Sequence, residues 1–151
     1  MIAPAVILAL TLVQAPVSCD WIARPDGKYY VCAASDNKDA VIAFVCDEKT
    51  KAIRQINFTI ITRKLGYSGR MNVKSGGKEI QVPMLGIKIG FNGFASPAVP
   101  EALEAAKKLL ENASGPLTLT PLEVPDPVTV SIDSAPIANA LKTATASCKS
   151  P

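Results

Sequence analysis

Ala40-Val41-Ile42-Ala43-Phe44-Val45-Cys46 is followed by the charged run Asp47-Glu48-Lys49-Thr50-Lys51, and then by Ile53-Arg54-Gln55-Ile56-Asn57-Phe58-Thr59-Ile60-Ile61-Thr62. In the third segment Ile56, Phe58 and Ile60 fall on one face and Asn57 and Thr59 on the other. That period of two belongs to a half-buried strand. The first segment is apolar on both faces at places, as a strand inside a sandwich or beneath a helix would be. A charged turn between two such runs makes an antiparallel pair, and the rest of the chain is read outward from it.

Toward the N-terminus, residues 36–39 form a polar turn and Lys28 to Ser35, with Tyr29, Tyr30 and Val31, reads as a strand. Pro25-Asp26-Gly27 is a turn by its chemistry, because proline presets φ and glycine tolerates positive φ. Cys19 to Arg24 is a further short strand. Toward the C-terminus, Arg70–Lys74 and Lys78–Val82 flank Ser75-Gly76-Gly77, a hairpin signal. Leu85 to Ala95 is an apolar stretch whose glycines predict bulges or a bend. A helix beginning at Ser96 or Pro97 and stopping at Gly115 carries Val99, Leu103, Ala106 and Leu110 at helical spacing. Two strands follow, Leu117–Val124 and Val128–Asp133. Ser134 caps a last helix, on which Ile137, Leu141, Ala144 and Cys148 share one face. Strands first and helices late predict a mainly β, α+β chain. The expected architecture is a single antiparallel β-sandwich-like domain with two short helices near the C-terminus.

The chain has 151 residues, 48% of them apolar, which suits one domain with one core. Residues 1–18 carry no charged side chain, and Val6 to Val13 form an apolar run followed by the small residues Ala15 and Ser18. They read as a secretory signal peptide, leaving residues 19–151 as the mature domain and a periplasmic or secreted location. An uncleaved anchor or a buried strand is the alternative, although the run is short for a bilayer. Four cysteines in an exported chain predict two disulfides, for which three pairings exist. The preferred pairing is Cys32–Cys46 with Cys19–Cys148, worth roughly 3 and 5 kcal/mol by loop entropy. Zinc binding lacks the usual spacings and any histidine. Lipidation of Cys19 would leave an odd thiol.

The absence of histidine excludes Ser-His-Asp and Cys-His catalysis and nearly all catalytic zinc sites. No phosphate-binding glycine loop is present. The expectation is therefore no catalytic residue, no metal and no cofactor. Acids cluster at Asp20, Asp26, Asp36, Asp39, Asp47 and Glu48, which leaves a carboxylate-based hydrolase as a rival reading, with solvated turn charges as the simpler one.

Between Lys49 and Lys88 nine basic residues meet one acid, Glu79. Arg54, Arg63, Lys64, Arg70 and Lys74 lie on or between strands expected to be neighbours, so they are candidates for binding an anionic surface. The simpler reading is that such residues edge the strands and discourage aggregation. Sparse aromatics argue against single-stranded nucleic acid. The strip Pro83 to Phe94, with Met84, Phe91 and Phe94, is either core or a patch for a protein partner.

Cys19-Asp20-Trp21, the cysteines Cys32 and Cys46 around a strand-turn-strand, and the closing Val128-Thr129-Val130-Ser131-Ile132-Asp133 with Ile137, Ala140-Leu141 and Cys148 carry a resemblance. In this layout the chain resembles small periplasmic bacterial proteins around invasion-associated locus B, and similar type VI secretion accessory proteins. The resemblance implies an exported, non-enzymatic β-sandwich acting at the envelope or in host contact. It supplies structural residues and no catalytic ones. The expected function is a binding or accessory protein of the cell envelope, meeting an anionic surface or an envelope protein. A partner-specific inhibitor or accessory module acting through the apolar strip is its rival.

Overall fold

The computed structural model describes residues 17–25, 27–34, 39–62, 69–88, 92–98, 100–124 and 129–149; the side chains of residues 62, 87, 88, 92–98, 100 and 101 lie outside that description. Nine strands form: β1 (Val17–Arg24), β2 (Gly27–Ala34), β3 (Ala40–Asp47), β4 (Ala52–Thr62), β5 (Gly69–Ser75), β6 (Lys78–Lys88), β7 (Asn92–Ala98), β8 (Pro116–Leu122) and β9 (Val130–Asp133). Helix α1 (Pro100–Glu111) lies between β7 and β8, and α2 (Ser134–Cys148) ends the fold.

The strands pair in one antiparallel series, β1-β2-β3-β4-β7-β6-β5-β8-β9. Strand β6 is shared. Its residues Lys78–Met84 pair with β5, and Leu85–Lys88 pair with β7. The change of partner between Met84 and Leu85 divides the series into two sheets. β9 nevertheless approaches β3, from which five strands separate it in the series, so the series curls back on itself. The mainly β, sandwich-like class with two late helices is therefore the one that forms.

The core follows from alternation. Ile42 and Phe44 on β3, Ile56, Phe58 and Ile60 on β4, Met71 and Val73 on β5, Val82 and Met84 on β6, and Leu117 and Leu119 on β8 are buried on one side. Leu103, Ala106 and Leu110 of α1 and Ile137, Leu141, Ala144 and Cys148 of α2 join the same cluster. Asp133, not Ser134, caps α2: its carboxylate accepts the Ala135 N–H at 3.4 Å. Ser134 is buried and donates to the Gly115 carbonyl.

Two expectations are corrected and a third is refined. The disulfides are Cys19–Cys32 and Cys46–Cys148, with Cα separations of 4.1 and 5.5 Å. Cys32–Cys46 is ruled out by register: Cys32 faces Ile42 on β3, so Cys46 lies four residues farther along, about 13 Å at the usual strand rise. Cys19 instead faces Cys32 directly. The first helix begins at Pro100, not at Ser96 or Pro97, which belong to β7. Residues 96–98 pair with β4 alone, a position where a sheet tolerates proline. The stretch from Leu85 to Ala95, whose glycines predict bulges or a bend, divides between two strands, with residues 89–91 outside the described residues. It is the end of β6 and the start of β7, paired Leu85 to Ala95 and Lys88 to Asn92.

Candidate functional site

Of the five basic candidates, the three among the described residues lie on two separated strands. Arg54 is exposed on β4, where the ladder shifts between Val45 and Cys46 of β3. Arg70 and Lys74 are exposed on β5, which β7 and β6 separate from β4, so the expected neighbouring strands are not neighbours. Arg70 is also engaged: its Nε donates to Glu123 Oε1 at 2.8 Å and its Nη1 to Gln81 Oε1 at 3.0 Å. Lys74 lies opposite Glu79 and Thr118. Arg63 and Lys64 lie outside the described residues.

The apolar strip also divides. Met84 is 2% exposed, so it is core and not a contact surface. The alternation of Ile80 and Val82 continues through Pro83 and turns Met84 inward. Leu85, one residue on, is 55% exposed. The backbone of Phe94 pairs with Ile60 and Gly86, while its side chain and all of Phe91 lie outside the description.

The structure offers a different site at the edge of the first sheet. Trp21 on β1 stacks on Tyr30 of β2, with ring centroids 4.7 Å apart and planes tilted by 32°. Trp21 and Ile22 are 39% and 41% exposed; with Leu85 they are the only exposed large hydrophobics among the described residues. A depression of about 320 Å³ is lined by Trp21, Ile22, Ala23, Lys28 and Ser147. A second, of about 330 Å³, also touches Lys28 and Ser147 and runs past Cys46 and Cys148 to Asp47, Glu48 and Lys51. Together they form one groove between the β1 edge and the last turn of α2. The Cys19–Cys32 bond fixes β1 to β2, and Cys46–Cys148 fixes the helix end to β3, so both walls are covalently tied.

The groove is apolar at its Trp21 end and charged at the other. The Lys49 backbone N–H, 2.9 Å from Asp47 Oδ1, holds the Asp47 carboxyl below the ordinary aspartate value. Slight desolvation opposes this, while hydrogen bonds from Thr50 and the charge of Arg54 add to it. Asp47 is thus ionised at neutral pH and supplies a fixed charge, not a proton. Any stabilisation from this shift is present above the ordinary carboxylate range and is lost as the pH falls through the lower folded value. Among the described residues no group of three metal-ligating side chains converges. A signal for it lies in the sequence: the only tryptophan stands in the first strand, a position that often becomes a sheet edge. Set beside protein-family models, curated proteins and solved structures, the chain matches none of them.

Proposed function

We propose that the chain is an exported, non-catalytic binding protein of a bacterial envelope, and that its groove takes an anionic amphiphile such as an envelope lipid. One observation carries this reading: an exposed Trp21, stacked on Tyr30, stands beside Ile22 and the ammonium-bearing Lys28 in one disulfide-fixed groove. An aromatic ring held at a wet boundary suits an acyl chain, and a lysine beside it suits the headgroup. The two disulfides fit an oxidising, extracytoplasmic environment. Long-range attraction from the basic segment between Lys49 and Lys88 adds to such binding at about 1 kcal/mol per residue near an anionic surface. The exposed Leu85 favours a second reading, a protein partner seated on β6.

Trp21 is the only tryptophan, so its emission reports on the groove alone. The oxidised chain is titrated with phosphatidylglycerol vesicles and, in parallel, with phosphatidylcholine vesicles. The expected result is a saturable blue shift with the anionic vesicles only, weakened by salt and by Lys28→Glu. The double reversal Arg63→Glu/Lys64→Glu tests the wider basic segment. Unchanged emission at low salt with both vesicle types overturns the lipid reading and directs the search to Leu85.

A further inference from the structure

Among the described residues the open edge of the first sheet is β1, and its sequence is complementary to itself. We propose that β1 pairs antiparallel with β1 of a second copy of this chain, across a two-fold axis at Ile22. Trp21, Ile22 and Ala23 line the groove as well as this edge, but the inference rests on strand pairing and its test reads association, not lipid binding.

Edge strands are ordinarily protected by lysines, prolines, bulges or short length. β1 has none of these. It is eight residues long, Val17-Ser18-Cys19-Asp20-Trp21-Ile22-Ala23-Arg24, with no lysine and no proline. Its register with β2 runs through eight consecutive pairs without a shift. The opposite edge, β9, has only four residues. An antiparallel mate centred on Ile22 would place Ile22 against Ile22, Trp21 against Ala23 and Asp20 against Arg24. Each match is favourable: apolar with apolar, large with small, acid with base. Asp20, Ile22 and Arg24 share one face of the strand by alternation, so the charge pair occurs twice and flanks the isoleucine contact on both sides. Arg24 stands over the Tyr29 ring of the inner neighbour β2, 5.4 Å from its centroid, so its pairing with Asp20 of a second copy competes with this contact.

The register is also compatible with the backbone. On an edge strand, the residues whose N–H and C=O point away from the sheet alternate, so all have one parity. Pairs in this register always join residues of equal parity. Outward-pointing groups therefore meet outward-pointing groups, and the ladder can close. A register displaced by one residue would break this match and separate Asp20 from Arg24. Only five residues per copy overlap, so the dimer is expected to be weak and dependent on concentration.

Sedimentation equilibrium of the oxidised full chain, run as a concentration series, reads the association directly. The expected result is a monomer–dimer equilibrium. Asp20→Arg should weaken it about tenfold or more by setting like charges opposite each other twice. The swap Asp20→Arg/Arg24→Asp should restore it. Both positions are exposed, and circular dichroism with mass analysis of the Cys19–Cys32 bond verifies folding in each variant. Ile22→Cys should give a dimer crosslinked at position 22, whereas Ala23→Cys, exposed but off the axis, should not. A chain that stays monomeric at every concentration overturns the proposal. So does a dimer that is indifferent to Asp20→Arg, or a swap that fails to restore association; the edge would then await a different strand.

Discussion

Gly27 shows how one residue can be both legible and decisive. It closes the β1–β2 hairpin with φ +143°, a conformation that side chains rarely adopt. A Cβ placed there would stand 3.2 Å from the Cys46 carbonyl oxygen. Gly27→Ala is therefore expected to cost about 1–3 kcal/mol, from backbone strain and from displacing that carbonyl. Urea denaturation checks this; an unchanged midpoint would mean that the hairpin end relaxes freely. The sequence marked the position, because Pro25-Asp26-Gly27 is turn chemistry. It did not mark the contact with Cys46, which arises from β2 lying beside β3. Met84 and Leu85 make the same point. A strand ending at Val82 puts both in one apolar strip, whereas β6 continues through Pro83 and alternation then buries Met84 and exposes Leu85.

Most elements were readable because their signals are local. The β5–β6 hairpin is the clearest: Gly76 and Gly77 have φ +54° and +83°, the pair of positive values that a two-residue hairpin turn requires. What this turn docks against was not readable. Ser75, at the end of β5, is buried; its Oγ donates to the Ser114 carbonyl at 3.0 Å and accepts the Ser114 N–H at 3.1 Å. The serine thus ties the hairpin to the loop that joins α1 to β8. Ser75→Ala is expected to cost about 1 kcal/mol, since two hydrogen bonds to the backbone of the exposed Ser114 are lost. Thermal unfolding gives the loss, and faster amide exchange at Ser114 locates it. Helix α2 was legible for a related reason. Its apolar residues recur at steps of four, three and four, and all four are buried. The start of the first helix was not legible, because Ser96 and Pro97 carry helix-start chemistry and yet pair with β4.

Across the whole molecule the two disulfides divide the work unequally. Cys19–Cys32 spans 13 residues and Cys46–Cys148 spans 102. Loop entropy assigns them about 3 and about 5 kcal/mol. Non-reducing peptide mapping should recover these two pairs, and Cys46→Ser/Cys148→Ser should destabilise more than Cys19→Ser/Cys32→Ser. The reverse order would show that the edge strand, not the helix end, limits stability. Alternation, turn chemistry and helical spacing are properties of adjacent residues, so the sequence by itself determined most of the elements, the fold class and the presence of two disulfides. Strand order and register are properties of distant residues. They put Cys19 opposite Cys32, set two strands between β4 and β5 and so part Arg54 from Arg70 and Lys74, and left β1 at the edge of the described strands, beside the end of α2. Only the tertiary structure decided those matters, because each depends on which strands become neighbours, and pairing energy along a strand is too uniform for a local pattern to name its partner.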